Sequence, residues 1–218
     1  AMAIVNMVGV DKLCSIMALD NEEIALATCN LFQCINDSLT GGDTRDYGKE
    51  VSLVLGLKKI LKVCGQVPEL PDQLPLTENT QLIASVLLNK LYDDLKCDPE
   101  RANFKEICDE YVKSKIDPNN MDKTLHAIST ISGLLQGPFE VGNSLVGQQG
   151  VMEMMVALCG SERDVDQMVA VEALIHASTK MSRASFFITN GVSLLKDIYK
   201  KTKSEKIKIR ALVVSVPS

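Results

Sequence analysis

The chain has 218 residues, 46% of them apolar and 23% charged, with a net charge of −5. That is enough for a large core or for several stacked units of about 40 residues. The negative balance weighs against nucleic acid as the main partner, and no apolar run reaches the roughly 20 residues that span a bilayer. Aromatic residues make up 4% and Trp is absent, while Leu, Val, Ile, Met and Ala are plentiful, which suits helix-on-helix packing better than a sandwich of sheets. The seven cysteines are odd in number and unpaired in spacing, pointing to a reducing, cytoplasmic setting. The first residues do not have the layout of a signal peptide.

Taken in order, residues 3–37 read as a first helical unit. Its last helix, about Asn21 to Ile35, is expected to bury Ile24, Ala27, Leu31 and Cys34. Thr40-Gly41-Gly42-Asp43-Thr44 ends it with turn-forming residues. Leu53 to Val63 reads as helix, and Gln66 to Pro75, with its three prolines, as a loop. Leu82, Ile83, Val86, Leu87 and Leu91 mark the next helix, and Asp98-Pro99 breaks after it. Phe104, Ile107, Cys108, Tyr111 and Val112 give another, and Asp117-Pro118-Asn119-Asn120 a turn. Met121 to Leu135 follows as helix, closed by Gly137-Pro138.

From there the chain shows its plan most clearly. Val151, Met154, Met155 and Leu158 fall at i, i+3, i+4 and i+7, one helical face. Gly160 to Asp164 is polar and turn-forming. From about Val165 to Thr179 the residues are apolar nearly all round, the mark of a helix enclosed by others. The same order recurs. Gly9-Val10, Gly150-Val151 and Gly191-Val192 each follow a short apolar segment and precede an amphipathic helix, and Val171-Glu172-Ala173-Leu174 is echoed by Ile209-Arg210-Ala211-Leu212. The last two glycines are 41 residues apart. A helical repeat near 40 residues is armadillo or HEAT, and a short helix, a sharp glycine turn and two longer helices favour armadillo. The expected fold is therefore an all-α armadillo-repeat right-handed solenoid of about five units, roughly 1–40, 46–98, 101–136, 137–180 and 181–218.

Catalytic patterns are absent. Gly142 to Gly147 has Walker spacing without the Gly-Lys-Ser/Thr that would complete it, and there is no Gly-x-Ser-x-Gly elbow. Cys29/Cys34 and Cys97/Cys108 match no zinc spacing, and His126 and His176 stand alone. The sequence reads as a non-enzyme without cofactor or metal. An enzyme reading would need His126 or His176 to gather Cys and carboxylates in a pocket. Two features are candidates for partner contact. Glu172, His176 and Lys180 are spaced i, i+4, i+8, a polar stripe on an otherwise apolar helix. It is either a contact line in the groove of the stack or a solvated ridge. From Lys196 to Arg210 there are seven basic and two acidic residues, including Lys200, Lys201, Lys203, Lys206, Lys208 and Arg210. That segment either attracts an acidic surface or keeps the end of the stack soluble. Met152, Met154 and Met155 are core filler or an adaptable surface.

Longer stretches resemble a known family. They include Gly150-Val151-Met152-Glu153-Met154-Met155-Val156-Ala157-Leu158-Cys159, Val169 to Ala177, Thr189 to Lys196 and Ile207 to Val213. Leu91 to Arg101 and Leu134 to Phe139 fit as well. These resemble the UCS family of myosin chaperones, in wording closest to the vertebrate striated-muscle Unc-type paralogue, and the likeness covers most of the chain. The resemblance implies the central armadillo region of a protein that works with Hsp90 to fold myosin motor heads and assemble thick filaments. Its TPR and UCS domains, which hold the Hsp90 tail and the main motor contact, are absent from this stretch. Implied partners are the myosin heavy-chain motor domain and Hsp90, without nucleic acid or membrane, and with self-association through an open end of the stack left open. Cytoplasmic and sarcomeric residence follows from the same likeness. Two departures stand out. Family members carry extra sequence where Glu50-Val51-Ser52 runs into Gly56, and they continue differently after Val213. The competing reading is a generic armadillo adaptor gripping extended peptides, which would use a Trp/Asn ladder; the chain has no Trp.

Overall fold

A helix begins where a residue can satisfy its first free N–H groups and ends where the backbone must turn. In the computed structural model, which describes residues 2–9, single positions between 12 and 34, and residues 56–71, 78–95, 97–178 and 191–215, every regular element is a helix. They are α1 (Met2–Val8), α2 (Gly56–Cys64), α3 (Glu78–Asp94), α4 (Asp98–Lys115), α5 (Met121–Gln136), α6 (Phe139–Val146), α7 (Val151–Leu158), α8 (Asp164–Ala177), α9 (Gly191–Lys201) and α10 (Glu205–Ser215).

Helix α3 ends at Asp94 and α4 begins at Asp98, in keeping with the break expected at Asp98-Pro99, and Pro99 stands in the first turn of α4, where a missing N–H costs nothing. Asp98 and Glu100 sit at its positive end, and Lys113 and Lys115 at its negative end. Asn120 caps α5, its side chain accepting from Lys123 N at 3.1 Å, and Gly137 closes it. Gly9 and Gly150 both lie in the left-handed region, at φ 84° and 86°, and Gly150 leads directly into α7. A side chain there would strain the backbone, so the repeated Gly-Val signature is a conformational requirement. Gly191 opens α9; the residues leading into it lie outside the described part.

The chain divides into two compact units, Ala1–Val141 and Gly142–Ser218. In the first, α2 packs against α3, α4 and α5, and α5 also against α3 and α4. Leu57, Ile60, Leu61, Leu87, Leu88, Leu91 and Phe104 are wholly enclosed, each burial contributing about 1.5–3 kcal/mol. Side chains of α2 and α3 press onto Gly133 of α5, where an added Cβ would overlap Cys64 Sγ. In the second unit, α8 packs against α7 and α10, and α9 against α10. Its core holds Met155, Ala170, Val171, Leu174, Leu195 and Ile207. The turn from α7 to α8 is pinned by Asp166, 3% exposed, which accepts from Ser161 Oγ at 2.7 Å and pairs with Arg163 at 3.2 Å. Met152 and Met155 are buried and Met154 half-buried, so these methionines fill the core rather than form a free surface. Cys64 and Cys108 in the first unit and Cys159 in the second are free and buried. Burial pushes the Cys64 thiol up to about 11 and Cys159 to about 12, and raises Cys108 as well.

One expected face is wrong. Ile24, Ala27 and Cys34 are exposed and Leu31 half-buried, while Thr28 turns inward, its hydroxyl bonded to Ile24 O at 2.7 Å. The sequence offers a second apolar line at Ala25, Cys29 and Phe32, so periodicity alone did not fix which side goes in. Leu82 and Val86, expected to mark a helix, do lie on α3, where they are 48% and 37% exposed.

Candidate functional site

The two sequence candidates meet in the second unit. Helix α8 carries Glu172 and His176 one turn apart, and α10, packed on it, carries Arg210. Arg210 Nε stands 2.7 Å from Glu172 Oε1, with the two side chains 39% and 26% exposed. His176 is half-buried. Burial first, and then the Arg210 charge, push it down to about 4. At these two positions the polar stripe is half-buried, and Glu172 is paired across to α10. It joins neighbouring helices, with the guanidinium as the shared group. Lys180, the third member of the stripe, lies outside the described residues.

The basic segment divides by role. Arg210 is engaged with Glu172, and Lys208 Nζ with Glu205 Oε1 at 2.6 Å on the same helix. Lys200 and Lys201 end α9, Lys203 stands in the turn, and Lys206 lies in the first turn of α10. All four are exposed. The turn is set by Ser204, whose Oγ accepts from Ile207 N at 3.4 Å and whose carbonyl accepts from Lys208 N at 3.0 Å. The lysines thus project from an ordered corner between two packed helices.

The first unit holds the more elaborate polar chemistry, which sequence reasoning did not assemble. Tyr92 on α3 donates to Glu140 Oε2 at 3.0 Å, and Glu140 also pairs with Lys105 of α4. The Arg101 guanidinium lies 5.3 Å from the centre of the Tyr92 ring, and its Nε donates to Leu95 O at 2.9 Å. Bonds from Lys105 and then Tyr92 hold the Glu140 carboxyl below its usual range. The only available signal was Glu140 just after the Gly137-Pro138 break, at the start of α6; its partners are 48 and 35 residues away. His126 on α5 is 6% exposed and 2.8 Å from the Tyr111 hydroxyl. Burial, Lys115 and Lys62 push it down to about 4. The ring of His126 meets the Tyr111 hydroxyl, and the charge acting on His176 is that of Arg210. Among the described residues no group of three or more His, Cys, Asp or Glu could hold a metal ion, and no helix is long and apolar enough to cross a membrane.

Comparison with known proteins agrees with this architecture. Protein unc-45 homolog B of Danio rerio is 63% identical over 270 residues, covering 98% of this chain. The chain spans 29% of that relative's length. Because the alignment runs over 270 residues and the chain has 218, the relative carries internal sequence that this chain lacks. The structure described as molecular features of the UNC-45 chaperone critical for binding and folding muscle myosin matches 97% of the chain and 24% of its own length, with a TM-score of 0.84 at 22% identity. The C. elegans myosin chaperone UNC-45 in complex with an Hsp90 peptide matches the same shares at 0.83 and 23%. At such identities the likeness concerns the fold, and the fold class is the all-α armadillo-type solenoid expected from the glycine-turn repeat. Residues 47–216 match the family described as myosin-binding striated muscle assembly central, and to that family, UNC45-central, the chain belongs.

Proposed function

We propose that this chain is the central helical-repeat segment of a myosin-directed co-chaperone, one that works with Hsp90 in folding myosin motor heads and assembling thick filaments in muscle cytoplasm and sarcomere. The observation that carries the reading is the match over residues 47–216 to the family described as myosin-binding striated muscle assembly central, joined by the 63% identity to protein unc-45 homolog B of Danio rerio. The segment's own part is mechanical: it spaces and orients what flanks it and offers a protein-contact surface, without catalysis. The repeat units proposed are roughly 1–40, 46–98, 101–136, 137–180 and 181–218. The run α6–α7–α8, a short helix, a left-handed glycine and two further helices, supports the fourth of these. For contact, the exposed Lys200, Lys201, Lys203 and Lys206 are better placed than Glu172 and Arg210, which occupy one another.

A thermal-aggregation assay of a myosin motor fragment, with this chain added beside the full-length relative, tests the reading. Suppression by both assigns a client surface to this segment. Suppression by the full-length protein alone makes the segment a spacer. Failure of both overturns the chaperone reading.

A further inference from the structure

Helix α6 runs from Phe139 to Val146, while the first compact unit ends at Val141. The first turn of α6 therefore belongs to that unit, and it is tied to α3 at two places of different kind. One is steric. Gly137, in the turn after α5, lies so close to α3 that an added Cβ would come within 2.3 Å of Ser85 O, and Pro138 beside it is buried. The other is polar. Two turns further along α3, about 10 Å along its axis, the Tyr92 hydroxyl donates to Glu140 Oε2 at 3.0 Å, and Lys105 of α4 pairs with Glu140 Oε1. Arg101, one turn before Lys105, lies over the Tyr92 ring and holds the turn from α3 to α4 through Leu95 O. The two places differ in their access to water. Ser85 is 1% exposed, whereas the Glu140 and Lys105 side chains are 55% and 37% exposed.

We propose that the Tyr92–Glu140–Lys105 contact is a salt-sensitive latch that sets where the first unit ends. Closed, it holds the first turn of α6 on α3 and α4, so the residues up to Val141 open and close with the first unit. Open, it frees that turn, and the end of the unit falls back to Gly137-Pro138, where the close approach to Ser85 still holds the chain. The backbone around the pivot allows this. Pro138 has no N–H to carry the hydrogen-bond ladder of α5 onward, so the attachment of the next turn rests on side chains. Gly137, at φ −103° and ψ −113°, has left the helical region just before it. The chemistry of the latch is that of a reversible contact. A carboxylate shared between a phenol and an ammonium makes strong charge-assisted bonds, yet its exposed side stays open to competition from water and ions. The latch does not depend on the myosin reading.

Hydrogen exchange of the whole chain, read by mass spectrometry, tests it. Tyr92→Phe keeps the ring, and with it the Phe104 and Arg101 contacts, and removes only the hydroxyl. It is expected to speed exchange in peptides covering 139–146 about five- to tenfold, while peptides from α4, α5 and α8 keep the parent rates. Lys105→Gln should do the same, and about 1 M sodium chloride should bring the parent close to the variants at α6 alone. Glu140→Gln also changes the charge at the start of α6, so Tyr92→Phe is the deciding variant. Lys113→Gln, which breaks the pair with Asp109 elsewhere on α4, should leave α6 unchanged. Parent rates at α6 in Tyr92→Phe overturn the latch. So does an equal acceleration across α3, α4 and α5, which would make the contact a general support of the first unit, or a Lys113→Gln variant that speeds α6 as much.

Discussion

The depressed basicity of His126 ties stability to pH with a size and sign that follow from its surroundings. The ring is enclosed between helices, bonded to Tyr111 of α4 and within the field of Lys115 of α4 and Lys62 of α2. Burial and both ammonium groups favour the neutral form, bringing the group to about 4, against roughly 6.5 in an unfolded chain. The unfolded state therefore binds the proton first. The contribution is complete above pH 6.5 and is lost as the pH falls from 6.5 toward 4. Between about pH 8 and pH 5 this single site removes about 2 kcal/mol of stability. Urea denaturation at stepped pH values measures it. His176, shifted in the same direction, titrates in the same window, so the informative quantity is the difference between the parent and His126→Gln, which cannot take up the proton. The variant should show the shallower pH dependence by about 2 kcal/mol across that range. An unchanged slope, or an imidazole resonance of His126 titrating near its ordinary value of about 6.5 in the folded protein, would refute the account.

Three further outcomes are expected. Gly133→Ala, whose methyl group would overlap Cys64 Sγ, should lower stability by about 1–3 kcal/mol, read as a reduced denaturation midpoint at constant slope. Gly150→Ala meets no atom within 4 Å but sits at φ 86°, so it should cost about 1–2 kcal/mol from backbone strain alone; an asparagine there should cost less. In a double-mutant cycle, Glu172→Ala and Arg210→Ala should show a coupling of roughly 0.5–1 kcal/mol, because the pair is partly exposed. Arg210→Ala should also raise the imidazole pKa of His176, measured by NMR titration.

The repeat was legible because its signature is local and steric. A glycine forced to positive φ, with apolar residues at fixed offsets on either side, leaves the same trace wherever the unit occurs, and Gly9 and Gly150 show it. Helix α8 was legible for a related reason: a helix enclosed by others can carry apolar residues all round. The Ile24–Cys34 face was not, since apolar residues surround that segment and only the neighbours decide which side is covered. The partner of Glu140 was out of reach in the same way: Tyr92 is 48 residues away, and nothing in that spacing reports that the helices meet. Arg210, 38 residues from Glu172, holds the same place in the echoed motif as Glu172 does in the first, so the repeat put the two helices side by side without showing that their side chains pair. The break at Asp98-Pro99 was legible as well, because a proline that cannot continue one helix fits the first turn of the next.

The buried cysteines give the molecule internal clocks. A thiol raised toward 11 or 12 carries little thiolate at neutral pH, and an enclosed one cannot meet a reagent until its surroundings open. Cys64 and Cys108 keep time for the first unit and Cys159 for the second. Their alkylation rates, followed by mass spectrometry against denaturant, therefore time the opening of each unit separately. Equal rates would mean that the two units open together, and unequal rates would rank which of them yields first to force or heat.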